Sequence, residues 1–329
     1  MNSVSSPIIT TTAARYGIYV ADVMDTYTAN PRNLTPSMQS TYSLAEDWCA
    51  IAYLVANDTY FLKKAALGVK PEDYVYYGVL AQSKSTPQEF ILVIRGTSGF
   101  LEWVVDAHVG MVPFGSKDCG NVEGGFFQLY KSMKLLKKDE HPTAVRENAW
   151  QRIRSLLPAN SQDDKLRITI VGHSLGAALA CFTTLDFCTR AKLGDAVTGC
   201  FFACPRPGDA DFASAFDKEV QSYTVYDYVA DVVPNLPPNY PPLPTQFPPI
   251  VPSIPGPTGD SFVSLPQIYA LDCNNSQAHI LDNPKSNHHV LCYSAMLHYK
   301  AQADLFAWWR LLMRDGDFPL SIRGPTKCA

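Results

Sequence analysis

The sequence predicts an α/β fold with a mainly parallel central sheet, and three observations carry that expectation. Short apolar runs rich in β-branched and aromatic residues alternate with segments of helical period. Two of the runs, "LRITIVG" and "VTGCFFACP", hold few polar residues, as strands covered on both faces do. Finally, "RITIV" stops abruptly at Gly172, a His173–Ser174 pair follows, and "GAALACFTTLDF" opens an alanine-rich helical pattern.

Taken in chain order, a helix is expected near Leu44 to Ala56. "YVYYGVLAQ" and "EFILVIRG" flank the turn-rich "SKSTPQ" and read as a hairpin. Helical patterns follow over Gly125–Lys138 and Thr143–Leu157. In the second, Val145, Ala149, Ile153 and Leu156 share a face and Thr143 is placed to cap it. "LRITIVG" reads as a strand, Leu175–Ala191 as a helix, "VTGCFFACP" as a strand and Asp209–Lys218 as a helix. "VQSYTVYDYVADVV" is a further strand, and a last helix is expected from about His289 to Arg314. Pro234–Pro257 is dominated by proline, which excludes a helix or a central strand there. Too little chain follows it for a second domain, so it reads as a surface excursion, partly polyproline II, on one domain spanning 1–329.

Composition bounds the function. The chain has 329 residues, 47% hydrophobic and 18% charged, with a net charge of -4. That balance implies no basic surface, so a nucleic-acid partner is not expected. No apolar run reaches the length of a membrane span, about 18 residues. "MNSVSSPIITTTAARYGIYV" has no basic region ahead of an apolar core, so no signal peptide is expected. A mature secreted chain and a cytoplasmic one both remain open. The nine cysteines contain no C-x-x-C pair, and several lie in apolar runs, which reads as mostly buried thiols rather than a disulfide framework.

The chemistry concentrates at Ser174. A serine hydroxyl is a weak nucleophile at neutral pH and needs a base within hydrogen-bond reach. Gly172 and Gly176 flank it two residues away on either side, as G-x-S-x-G on a sharp strand-to-helix turn requires. The helix N-terminus favours negative charge, and the Leu175 N–H is placed to bind the oxyanion of a tetrahedral intermediate. In this arrangement the partners follow in the order acid, then histidine. Asp231, where the strand gives way to the proline-rich loop, is the expected acid, and mid-strand Asp227 is its rival. His279, His288, His289 and His298 follow the acid. His288 and His289, in the polar "KSNHHVLCY", suit a base reaching over the sheet, and residue type alone does not separate them. His173, inside the turn, cannot fold back onto its neighbour's hydroxyl.

These residues resemble the class 3 lipases, the Rhizomucor miehei type of α/β-hydrolase. "VIRGTSGFLEWVVD" (Val93–Asp106) is similar to that family's R-G-[ST]-x-x-x-x-x-W-x-x-D segment, and "IVGHSLGAALA" to its nucleophile elbow. "FFACPRPGD" (Phe201–Asp209) is similar to F-G-x-P-R-x-G-[DN], and "ADVVPNLPP" (Ala230–Pro238) to its acid segment. The resemblance implies Ser174 as nucleophile, Asp231 as acid, and Thr97 as the residue completing the oxyanion hole with Leu175. The family's histidine is commonly followed by an aromatic three or four residues on, which favours His289, with Tyr293, over His288. The resemblance also implies an amphipathic lid over about 98–111 that opens onto a lipid–water interface, with Phe100, Leu101, Trp103, Val104 and Val105 on its apolar side. Glu123 departs from the family, standing near the acyl side of the cleft where a histidine is frequent. The implied activity is serine ester hydrolysis without metal or cofactor, with a triacylglycerol lipase foremost. A phospholipase A1, a galactolipase or a soluble carboxylesterase is the alternative within the same chemistry, and an inactive lipid-binding scaffold the alternative outside it.

Overall fold

The computed structural model describes residues 10–40, 42–57, 74–97, 110–115, 119–158, 165–237, 261–273 and 284–300. Within them an eight-stranded sheet runs in the order β10-β9-β8-β7-β3-β2-β1-β6. Its strands are β1 (Trp48–Asn57), β2 (Tyr74–Ser83), β3 (Glu89–Ile94), β6 (Lys134–Leu136), β7 (Arg167–His173), β8 (Val197–Phe202), β9 (Tyr223–Tyr228) and β10 (Ile268–Leu271). The β1, β2, β3 and β6 pairings are antiparallel, and β3, β7, β8, β9 and β10 run parallel. A small ribbon of β4 (Met111–Pro113) and β5 (Asn121–Glu123) lies apart.

Both faces of the sheet are covered, which is why the central strands carry almost no polar residues. On one face lie α1 (Thr10–Ala29), which the sequence pattern did not reveal, and α8 (Val290–Lys300), packed against each other. Their apolar residues, among them Ala14, Ile18, Cys292 and Met296, form one core with Val93, Val171 and Phe202. On the other face lie α3 (Gly124–Ser132), α4 (Ala149–Leu156), α5 (Leu175–Thr189) and α6 (Ala210–Glu219). The central helix α5 is buried from Leu175 to Phe187, so it turns no face to water over that stretch. Phe182 on it meets Phe114, Phe127, Tyr130 and Phe212 at centroid distances of 5.4 to 6.1 Å.

Three expected helices need correction. Leu44–Ala56 is a short helix α2 (Ser43–Asp47) followed by β1, whose second half, Ala52 to Ala56, is buried without interruption. A short apolar run reads the same in a buried strand and a buried helix, and pairing with β2 decides it. Gly125–Lys138 contains α3 and then β6, an edge strand paired with β1. Thr143 does not cap the next helix. It lies in a 3-10 turn over Pro142–Ala144, and α4 begins at Ala149 under an Asn148–Gln151 capping box. The last helix is described as α8 to Lys300, and the remainder of its expected span lies outside the described residues. So does 238–260, most of the proline-rich segment.

The α6 N-terminus joins the two-stranded ribbon to the main body through one carboxylate. Asp209 Oδ1 accepts from Phe212 N at 2.8 Å, while Oδ2 accepts from Asn121 N at 3.0 Å and Asn121 Nδ2 at 2.7 Å. Asp209→Ala removes a helix cap and two further charge-assisted bonds, so urea unfolding is expected to show a loss of about 2–3 kcal/mol. A midpoint shift within error would show that these bonds add nothing over water.

Candidate active site

The carboxyl ends of the parallel strands bring the chemistry together, as open α/β sheets do. β7 delivers His173 and then Ser174, whose backbone has φ 59° and ψ -132°. That conformation costs a non-glycine residue roughly 1–3 kcal/mol. Ser174 N donates to Phe202 O at 2.9 Å, and Ser174 O accepts the first bond of α5, from Ala177 N at 2.8 Å. The two flanking glycines make the bend possible by lacking a side chain. A Cβ on Gly172 would stand 2.3 Å from Gly176 O, and one on Gly176 would stand 2.3 Å from Arg95 O. Strand β7, helix α5 and the loop after β3 therefore approach at backbone contact, and Ser174 is wholly buried at their junction.

The expected acid, Asp231, lies in the turn after β9. Asp231 is 2% exposed, and its Oδ1 accepts from Val233 N at 3.0 Å. Its Oδ2 accepts from Tyr293 O–H at 2.7 Å and faces His288 Nδ1 at 2.8 Å. Because a carboxylate only accepts, Nδ1 of His288 carries the proton. Its Nε2 is then the acceptor for the Ser174 hydroxyl, 2.8 Å away. This arrangement can move a proton from serine to imidazole while the carboxylate fixes the imidazole's tautomer and orientation.

The histidine in this chain of bonds is His288, which corrects the expectation of His289. His288 sits at the break between α7 (Pro284–Asn287) and α8, and Asn287 Nδ2 ties that break to Ala230 O in the acid turn at 3.2 Å. His289 has a different task. Its Nδ1 accepts from Leu291 N at 3.3 Å, so its ring caps the start of α8. The aromatic that pointed to His289 is itself part of the site, but Tyr293 bonds to Asp231 rather than serving as a spacing mark for the histidine. It also accepts from Tyr228 N at 3.2 Å, so one phenol links β9, α8 and the acid.

Around the expected oxyanion donors, Leu175 is the first residue of α5, where N–H groups have no acceptor inside the helix. Thr97 follows Gly96, and a Cβ on Gly96 would lie 3.0 Å from Ser174 Cβ, so this loop lies directly against the nucleophile. Arg95 holds it there. Its Nη1 donates to Gly96 O and its Nε to Tyr76 O, both at 2.7 Å. The buried guanidinium lies 3.5 Å from the ring centroid of Tyr27 and 4.3 Å from that of Tyr77, where cation–π attraction offsets lost hydration. The sequence marked Arg95 only as part of a motif, and Tyr27 lies in a helix that carried no signal. Glu123 is a helix cap: its Oε2 accepts from Phe126 N at 2.6 Å at the start of α3. Residues 98–109, most of the expected lid, and His279 lie outside the described residues. Among the described residues no cluster of metal-ligating side chains occurs, no helix is long and apolar enough to cross a membrane, and the cysteines form no disulfide.

The mainly parallel sheet with helices on both faces is an α/β-hydrolase type of fold. Residues 91–240 match the family model for Lipase (class 3). The chain is 30% identical to phospholipase A1-IIgamma of Arabidopsis thaliana, over 49% of this chain and 42% of that protein. It is 32% identical to phospholipase A1-II 7 of Oryza sativa subsp. indica, over 46% of this chain and 42% of that protein. The match thus spans about two fifths of these relatives' length. Among solved structures it is similar to a triacylglycerol lipase described as having a serine protease triad as its catalytic centre. That similarity has a TM-score of 0.50 at 18% identity and covers 69% of this chain and 74% of the other; it establishes the fold.

One further carboxyl lies close to the acid. Burial, and then the like charge of Asp231, push the Asp227 carboxyl up to about 7, and its Oδ1 has no hydrogen-bond partner among the described residues. Between the ordinary aspartate value and about 7 the unfolded chain releases this proton while the folded chain keeps it. Stability therefore falls as pH rises through that window, and the loss is complete above it. Asp227→Asn escapes the loss. It is expected to exceed the wild type by roughly 1–3 kcal/mol in urea unfolding at pH 8, with the gap closing toward pH 4. A gap that does not change with pH would show that Asp227 titrates normally.

Proposed function

We propose that this chain is a serine carboxylic-ester hydrolase that cleaves acyl esters of glycerolipids through an acyl-enzyme. The observation that carries the reading is the unbroken line Asp231–His288–Ser174, with both imidazole nitrogens 2.8 Å from their partners. In the first half-reaction His288 takes the Ser174 proton as Oγ attacks the ester carbonyl. Asp231, held by Val233 N and Tyr293 O–H, stabilises the imidazolium. Leu175 N–H and Thr97 stabilise the oxyanion, and one such donor is worth about 3–4 kcal/mol of barrier. His288 then protonates the leaving alcohol. Water enters along the same path and releases the acid.

The sequence put a triacylglycerol lipase foremost, with a phospholipase A1, a galactolipase or a soluble carboxylesterase as the alternative, and the similarity to phospholipase A1 proteins supports phospholipids over triacylglycerols. The lid reading rests on the amphipathic pattern of 98–111, which would present Trp103 and its apolar neighbours to a lipid surface.

Ser174→Ala and His288→Ala are each expected to lower p-nitrophenyl butyrate hydrolysis by about 10⁴-fold or more. His289→Ala, which removes a helix cap, is expected to stay within about tenfold and to lose about 0.5–1 kcal/mol of stability. A His289 variant as inactive as the His288 variant would overturn the assignment. Initial rates on phosphatidylcholine and triolein emulsions at equal interfacial area test the substrate class. Faster release of fatty acid from phosphatidylcholine is expected, and the reverse order returns the reading to a triacylglycerol lipase.

A further inference from the structure

His173 has no part in the proton path, yet it is buried against the residue that does. It closes β7, immediately before the nucleophile, and is only 7% exposed. Its Nε2 lies 2.8 Å from the backbone carbonyl oxygen of His288. A carbonyl only accepts, so Nε2 carries the proton, and the tautomer of this second imidazole is settled by geometry. The two histidine rings lie 4.7 Å apart at a 35° tilt, and the Tyr293 ring stands edge-on to His173 at 6.2 Å. Burial, and then the neighbouring His288, hold His173 well below the usual histidine range, so it is neutral. Neutrality matters here, because a second cation beside His288 would oppose formation of the imidazolium.

The base occupies a break between two helices, with a short helix on its N-terminal side. Its segment is tied to the acid turn by Asn287 and by its own Nδ1. The bond from His173 runs from the strand that delivers Ser174 to the backbone of His288, so it links the main chains on either side of the proton path. We propose that His173 is a positioning residue, which holds the main chain of His288 at the distance from Ser174 that proton transfer needs. The role rests on the ester-hydrolase reading above.

Three variants separate the bond from the bulk. His173→Phe keeps a planar ring and loses the donor. His173→Gln presents an amide N–H near the place of Nε2, whereas the amide of His173→Asn is too short to reach. Steady-state kinetics on p-nitrophenyl butyrate, with thermal melts as a folding control, are expected to show a 10- to 100-fold lower kcat for His173→Phe and His173→Asn. KM is expected to change by less than threefold, and His173→Gln to recover at least tenfold in kcat over His173→Asn. The Gln–Asn comparison stands even if the Phe variant fails to fold. Equal kcat for Gln and Asn, or a folded Phe variant with wild-type kcat, overturns the proposal while leaving the hydrolase intact. A wild type that neither turns over esters nor labels at Ser174 with a fluorophosphonate overturns both.

Discussion

The backbone bend at Ser174 is the constraint on which the rest of the site depends. A serine at φ 59° is stable only because its surroundings leave no alternative. β7 and α5 meet through Gly172 and Gly176, and the Arg95 carbonyl, just after β3, lies against α5. The hydroxyl is thereby held at the end of a parallel strand, at a helix N-terminus, with a loop carrying N–H groups beside it. None of these positions could shift without moving the others, since each contact is backbone to backbone.

The polar groups around the bend form a connected set rather than separate pairs. Tyr293 links Asp231 to β9, Asp231 links to His288, and His288 meets the serine through its side chain and His173 through its main chain. Buried groups that each satisfy another cost little, whereas a break anywhere leaves a charge or dipole without compensation. Asp227 and Arg95 lie off this path. Burial and the like charge of Asp231 raise the Asp227 carboxyl to about 7. Arg95 stays between two tyrosine rings and anchors the loop that precedes Thr97.

The placement of the helices follows the same economy. α1 and α8 cover one face of the sheet, and α8 begins one residue after the His288–His289 pair. The helix that closes the core thus starts beside His288, and Tyr293 one turn into it reaches Asp231. Coverage by α1 brings Tyr27 over Arg95, so a helix remote from Ser174 in sequence bears on the loop that carries Gly96 and Thr97.

By itself the sequence determined the strand-to-helix turn, the parallel core strands and the place of Asp231 just past β9. Each is written locally: glycines two residues either side of a serine, unbroken apolar runs, an aspartate where a strand meets proline. Tertiary structure alone decided which of two adjacent histidines faces the serine. Successive side chains at a helix start point in different directions, and here the first ring turns to the acid while the second turns back to cap Leu291. It likewise made "CAIAYLVA" a strand rather than a helix, because the edge of β2 was there to pair with it. Residue type sets what each segment can do; the partner that packs against it selects among those possibilities.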